Sequence, residues 1–152
     1  LRQILACVVL PECSFFYTFK ENKTLLMRAT VKYDFCDFSV FDNFLIAVMK
    51  EGITVVPEHN EVLIELANKY FKNRPFAYIT NRINSYSVDP NVFKETSKIE
   101  NLVAFAVVSQ QELGIANASF EKVFLKKPHK SFTKLIDAIQ WSEEKVAEAS
   151  KK

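Results

Sequence analysis

Pro75-Phe76-Ala77-Tyr78-Ile79-Thr80-Asn81-Arg82-Ile83-Asn84-Ser85-Tyr86-Ser87-Val88-Asp89-Pro90 is the stretch whose reading decides the fold. The apolar, β-prone run from Phe76 to Thr80 reads as a buried strand. It empties into a polar loop that closes on Asp89-Pro90, a helix-start signal: Asp caps, and Pro is pre-set at the first helical position. In open α/β sheets, the crevice beyond the carboxyl ends of the strands is where ligands and partners dock.

Working outward, the same grammar repeats on both sides. Upstream, Phe35, Asp37, Ser39 and Phe41 alternate with Cys36, Phe38 and Val40, and Asp42-Asn43 turns into Phe44-Leu45-Ile46-Ala47-Val48-Met49. That predicts a β-hairpin whose second strand is buried on both faces. Gly52 ends it, and Pro57-Glu58-His59-Asn60 leads into a helix carrying Val62, Leu63, Leu66, Ala67, Tyr70 and Phe71 at helical spacing. Downstream of Pro90 the spacing predicts a short helix with Val92 and Phe93 inward, running out near Lys98. Leu102 to Val108 is the clearest buried strand, and Ser109-Gln110-Gln111-Glu112 has capping-box spacing for a helix that Pro128 breaks. Ser131 and Phe132 add a short edge strand. A last helix from about Thr133 buries Leu135, Ile136, Ile139 and Trp141, then frays at Glu143-Glu144-Lys145. Strands alternating with helices predict an α/β fold: a mostly parallel sheet of four to five strands with an antiparallel N-terminal strand and about four helices.

The totals narrow the function classes. A chain of 152 residues, 49% hydrophobic with 14 Phe, is a natural single-core size. Its two glycines, Gly52 and Gly114, are too few for the glycine-rich loops that cradle nucleotides, so no cofactor is expected. A net charge of +2 gives no stripe for nucleic acid. Lys126, Lys127, Lys130 and Lys134 read as a solvated loop and helix start, the alternative being an anionic partner. Cys7, Cys13 and Cys36 have no metal or disulfide spacing, which points to a reducing, cytoplasmic setting. His59, beside Glu58 and Glu61, reads as an exposed first-turn residue rather than a metal ligand, and His129 is isolated. Asp37 and Asp42 read as turn and edge residues rather than a catalytic carboxylate pair, and no nucleophile motif occurs, so no catalytic residue is assigned.

Residues 1–30 are expected to be an N-terminal extension and 31–152 a single domain. The apolar run from Ile4 to Leu10 is too short to span a bilayer, so no stable membrane insertion is expected. It and Ile4-Leu5-Ala6-Cys7 offer a weak outline of a leader with a lipoprotein box; the alternative is that Met27 is the natural start.

The words Asn81-Arg82-Ile83-Asn84-Ser85-Tyr86-Ser87-Val88-Asp89-Pro90, Ala106-Val107-Val108-Ser109 and Ala138-Ile139-Gln140-Trp141 resemble the SpoIIAA-like STAS/SEC14 domain proteins, especially the short stand-alone versions of Bacteroidetes. The resemblance covers about Lys32 to Trp141, and its first word is the specific one. It implies a STAS-type fold used mainly for binding. In the anti-sigma-factor antagonists of that superfamily, a Ser or Thr after the third strand is phosphorylated by a partner kinase, and the added charge blocks binding. The corresponding region is Asn81 to Ser87, with Ser85 or Ser87 as candidate acceptor. This chain has Asn81-Arg82-Ile83-Asn84 where the antagonists carry Asp-Ser-Ser/Thr-Gly. The SEC14 half implies carriage of a lipid or hydrophobic ligand, although enclosing a whole acyl chain takes a larger domain.

Two functional readings follow. In the first, Asn81, Arg82, Asn84, Ser85, Tyr86 and Ser87 form the contact surface of a non-enzymatic regulatory or protein-interaction module, its partner a protein such as a kinase or regulatory factor. In the second, the same crevice holds a small hydrophobic ligand near Tyr78, Tyr86 and the Ser109 loop. The bland reading is a loop whose Asn and Ser side chains satisfy its own backbone while Tyr86 packs on the core.

Overall fold

The computed structural model describes residues 7–9, 15–18, 24–111, 123 and 125–152. Strands β1 (Cys7–Val9), β2 (Phe15–Thr18), β3 (Thr24–Lys32), β4 (Cys36–Phe41), β5 (Phe44–Met49), β7 (Phe76–Asn81), β9 (Leu102–Val108) and β10 (His129–Phe132) form one sheet in the order β1-β2-β3-β4-β5-β7-β9-β10. Pairing is antiparallel from β1 to β5 and parallel from β5 through β7 and β9 to β10. The stretch from β4 to β10 is the expected mixed sheet: a parallel run with an antiparallel hairpin strand beside it, in the α/β fold that the resemblance implies. The residue-30 boundary falls inside β3, which pairs along β4, and Leu25 of that strand is buried.

The helices are α1 (Asn60–Leu66, entered through a 3₁₀ turn at Pro57–His59 and prolonged by a π turn at Ala67–Phe71), α2 (Asn91–Ser97) and α3 (Leu135–Ser150). The helix expected after Ser109 falls mainly outside the described residues. Its capping box lies partly outside the described residues, Glu112 included; of the rest, Ser109 Oγ accepts the Gln111 N–H at 3.2 Å. The fraying expected at Glu143 is not observed, and α3 continues to Ser150. Its buried Ala138, Ile139, Ser142 and Val146 extend an apolar seam past the charged triplet, which occupies positions around that seam.

Strand alternation sends side chains to two cores. Ile46, Ile79 and Ala106 lie opposite one another across the sheet on the α3 side. Ala77, Ala104 and Ala106 there are fully buried, and small side chains on the sheet let a helix approach closely. On the other face Leu45, Tyr78, Phe105 and His129 are in register. Tyr78 stacks on Phe105 at 4.9 Å between centroids and Phe105 on His129 at 5.6 Å. Helices α1 and α2 share this second core through Leu63, Leu66, Val92 and Phe93.

Candidate functional site

The carboxyl ends of β5, β7 and β9 meet at one rim, and the chain leaving β7 crosses it. Arg82 N–H donates to Val108 O at 2.8 Å, which ties the loop to the end of β9. Asn84 Nδ2 donates to Met49 O at 2.8 Å, which ties it to the end of β5. Ser85 N–H donates to Glu51 Oε2 at 2.8 Å and Ser85 O accepts from Gly52 N–H at 2.7 Å. Gly52 sits at φ 73, a turn conformation that costs glycine little.

After Ser85 the chain enters a short strand that no sequence pattern announces. Ser87–Val88 is a strand, β8, pairing in parallel with β6 (Thr54–Val55), and Ser87 and Asp89 N–H groups donate to Ile53 O and Val55 O. Two-residue strands carry no periodicity to detect. Asp89 Oδ1 then accepts the Asn91 N–H at 2.9 Å, so the Asp-Pro cap operates as read.

Each predicted site residue therefore has a place. Asn81 ends β7 and is half-buried, as are Arg82, Asn84 and Tyr86, while Ser85 and Ser87 are exposed. Tyr86 OH and Thr80 Oγ1 lie 3.0 Å apart, and Tyr86 packs against the second core. The Arg82 guanidinium lies 5.4 Å from the Tyr86 ring centroid. Tyr86 packs on the core, as the bland reading has it, whereas Asn84 bonds Met49 O at the end of β5 rather than the loop's own backbone. At the tip of the loop Ile83, to which the sequence analysis assigns no role, is 66% exposed. Its isolation between Arg82 and Asn84 was the available signal.

Beneath the loop lies a partly open cavity of about 40 Å³. Phe35, Phe38, Tyr78, Phe93 and Phe105 line it, with Val55, Val88 and Val92. Its polar groups are largely spent on one another. Asn60 Nδ2 donates to Val92 O at 2.9 Å, and Thr96 Oγ1 donates to Asn60 Oδ1 at 3.2 Å, both side chains buried. Of the Ser109 loop, the described residues Ser109, Gln110 and Gln111 do not line it.

His59 is corrected from an exposed residue to a half-buried one. It stacks on Phe35 at 4.0 Å, lines the cavity, and accepts the Val56 N–H on Nδ1 at 3.2 Å. Asp37 pairs with Lys50 at 2.7 Å and Asp42 with Arg28, so these carboxylates are engaged in ion pairs rather than with each other. Burial pushes the Cys36 thiol up to about 12, against a backbone hydrogen bond from Val48 that lowers it, which favours the neutral thiol over the thiolate. Lys127 donates to Ile99 O at 2.8 Å and its burial lowers its pKa, which withdraws it from the lysine cluster. Among the described residues no group of His, Cys, Asp and Glu is placed to hold a metal ion, and no helix is long and apolar enough to cross a membrane.

No protein-family model matches the chain, and no curated protein matches it. Among solved structures it is similar to an uncharacterized protein of the DUF3478 family, with a SpoIIAA-like fold, from Shewanella loihica PV-4. The two are 15% identical, with 75% of this chain and 90% of that chain covered at a TM-score of 0.48.

Proposed function

We propose that the chain is a non-enzymatic interaction module that docks a protein partner on the loop from Asn81 to Asp89, with Ile83 as the apolar contact and Asn81, Arg82 and the exposed Ser85 and Ser87 around it. One observation carries this reading: a large apolar side chain, 66% exposed, stands on a loop whose neighbouring residues are tied to the ends of β5 and β9. A loop already ordered by folding loses little entropy on binding, which favours affinity at a small contact. Ser85 and Ser87 are the candidate phosphate acceptors. A phosphate on Ser85 would set a dianion beside the Glu51 carboxylate that holds its own N–H, so like-charge repulsion would loosen the loop.

The test is capture of a partner from the cells that make the protein, wild type against Ile83→Asp. Loss of the captured partner with unchanged thermal stability supports the reading; undiminished capture refutes it. Tyr86→Ala is the poorer probe, because Tyr86 also holds the core. A second reading, a small hydrophobic ligand in the crevice, is favoured by the cavity under the loop. At about 40 Å³ the cavity lies far below the roughly 300–1,000 Å³ of drug-sized sites, so any occupant is small.

A further inference from the structure

We propose that the groove at the amino ends of β7 and β9, at the far end of the strands from the docking loop, seats an acidic, extended peptide segment of a second partner protein, with Lys72 as its anchor. This surface is separate from the one at Ile83, and neither reading rests on the other. The argument starts from the backbone at Lys72. Among the described residues it is the one non-glycine position with positive φ, at φ 54 and ψ -118. A Cβ is crowded by the backbone in that region and glycine is the inexpensive occupant, so lysine stands there against strain. Surrounding bonds enforce the conformation. The Lys72 N–H reaches back to Ala67 O at 2.9 Å, which closes the π turn, and Asn101 Nδ2 donates to Lys72 O at 2.7 Å and to Arg74 O at 3.1 Å. Strained residues and π turns persist where they aim a side chain at a ligand.

Lys72 lines a groove of about 560 Å³, within the roughly 300–1,000 Å³ of ligand sites. Segments distant in sequence bring cations to it. Lys72 and Arg74 leave the π turn, Lys98 follows α2, and the Lys126 N–H donates to Ser97 Oγ at 3.1 Å, which ties that residue to the end of α2. All four are exposed. Of the two carboxylates in the wall, Glu95 pairs with Lys98 at 2.7 Å and Glu100 acts on Lys127. Lys72, Arg74 and Lys126 are thus the cations left to meet an incoming anion. The rest of the wall selects which anion. Ile64, Ala67 and Ile99 give it apolar surface, and Asn68 and Asn73, both exposed, offer amide donors and acceptors to a peptide backbone. An extended peptide alternating acidic and apolar side chains sends the two kinds to opposite sides, one set onto the apolar wall and the other to the cations. A nucleic-acid backbone brings phosphates against Glu95 and Glu100 and nothing apolar for Ile64.

The experiment is fluorescence anisotropy of the full chain with a fluorescein-labelled peptide alternating glutamate and leucine, compared with its glutamine–leucine counterpart and a labelled oligothymidylate of equal length. Saturable binding of the glutamate peptide is expected, at least about tenfold tighter than of the glutamine peptide and weaker at high salt. Lys72→Gly should separate the two roles of the position: relief of strain raises Tm by about 2–4 °C, while loss of the ammonium weakens binding at least about fivefold. Lys72→Gln keeps the wild-type backbone demand and should lose the same affinity, which holds the test open if Lys72→Gly does not fold. Lys130→Gln removes an equal charge on β10 and should leave affinity unchanged, as should Ile83→Asp. Absence of saturation, equal binding of the glutamine peptide, tighter binding of oligothymidylate, full affinity in either Lys72 variant, no rise in Tm for Lys72→Gly, or an equal loss in Lys130→Gln would overturn the proposal.

Discussion

Tyr86→Phe and Thr80→Val delete opposite ends of one 3.0 Å hydrogen bond, and the structure predicts that they are not equivalent. Thr80 is 3% exposed, so Tyr86→Phe strands a hydroxyl that water cannot reach, at a cost of about 1–2 kcal/mol. Tyr86 is half-buried, and once Thr80 becomes Val its hydroxyl turns to solvent while a methyl group joins the core. That change costs about 0.5 kcal/mol or less. The double variant removes both partners and should sit close to Thr80→Val alone, giving a coupling of about 1 kcal/mol in the cycle. For a chain of this length, the Tyr86→Phe loss lowers Tm by about 2–8 °C. Urea unfolding followed by far-UV circular dichroism measures all four proteins, and the slope should not change, because the loop alters stability and not the extent of the core. If Tyr86→Phe is no worse than Thr80→Val, or the two effects add, the hydroxyl pair does not anchor the loop and the argument for a pre-ordered docking surface fails.

Further outcomes follow from the packing. Ser142 Oγ is buried with no hydrogen-bond partner among the described residues, so Ser142→Ala should be neutral or stabilising by up to about 1 kcal/mol, checked by thermal unfolding. Ala106→Leu, by contrast, drives a larger side chain between the sheet and α3 and should destabilise by about 1–3 kcal/mol in the same assay. Cys36 has a folded-state pKa raised above its ordinary value of 9.0 to about 12, so its contribution to stability is intact below pH 9 and lost as pH rises from there towards 12. Cys36→Ala should flatten the alkaline fall of stability relative to wild type, and alkylation mapping at pH 8 should leave native Cys36 unmodified.

The parts of the fold legible in the sequence were those with long, consistent patterns. Leu102–Val108 and Phe76–Asn81 announce buried parallel strands by uninterrupted apolar character, and Asp42-Asn43 marks the hairpin between β4 and β5. Short elements were not legible: β6 and β8 are two residues each, held by backbone bonds that any side chain permits. Strand β3 does alternate, with Met27, Ala29 and Val31 set against the exposed Arg28, Thr30 and Lys32, so its pattern was legible although no strand was assigned there, and its place in the sheet is fixed by pairing with β4. In the site, the loop from Asn81 to Ser87 was legible through its density of donors and acceptors. Which of them face outward was not, because Asn84 and Tyr86 find partners 35 and 6 residues away, respectively. His59 was misread for the same reason: stacking on Phe35 is a tertiary contact between segments with no common pattern.

The central claim, a protein partner seated on Ile83, is tested most directly by placing a photo-activated cross-linking residue at position 83 in living cells, with position 64 as the control. Ile64 is also exposed, at 43%, but lies on α1 and outside the rim of the crevice. The account predicts one discrete cross-linked protein from position 83 and none of that product from position 64. The same product from both positions, or none from 83, would contradict it.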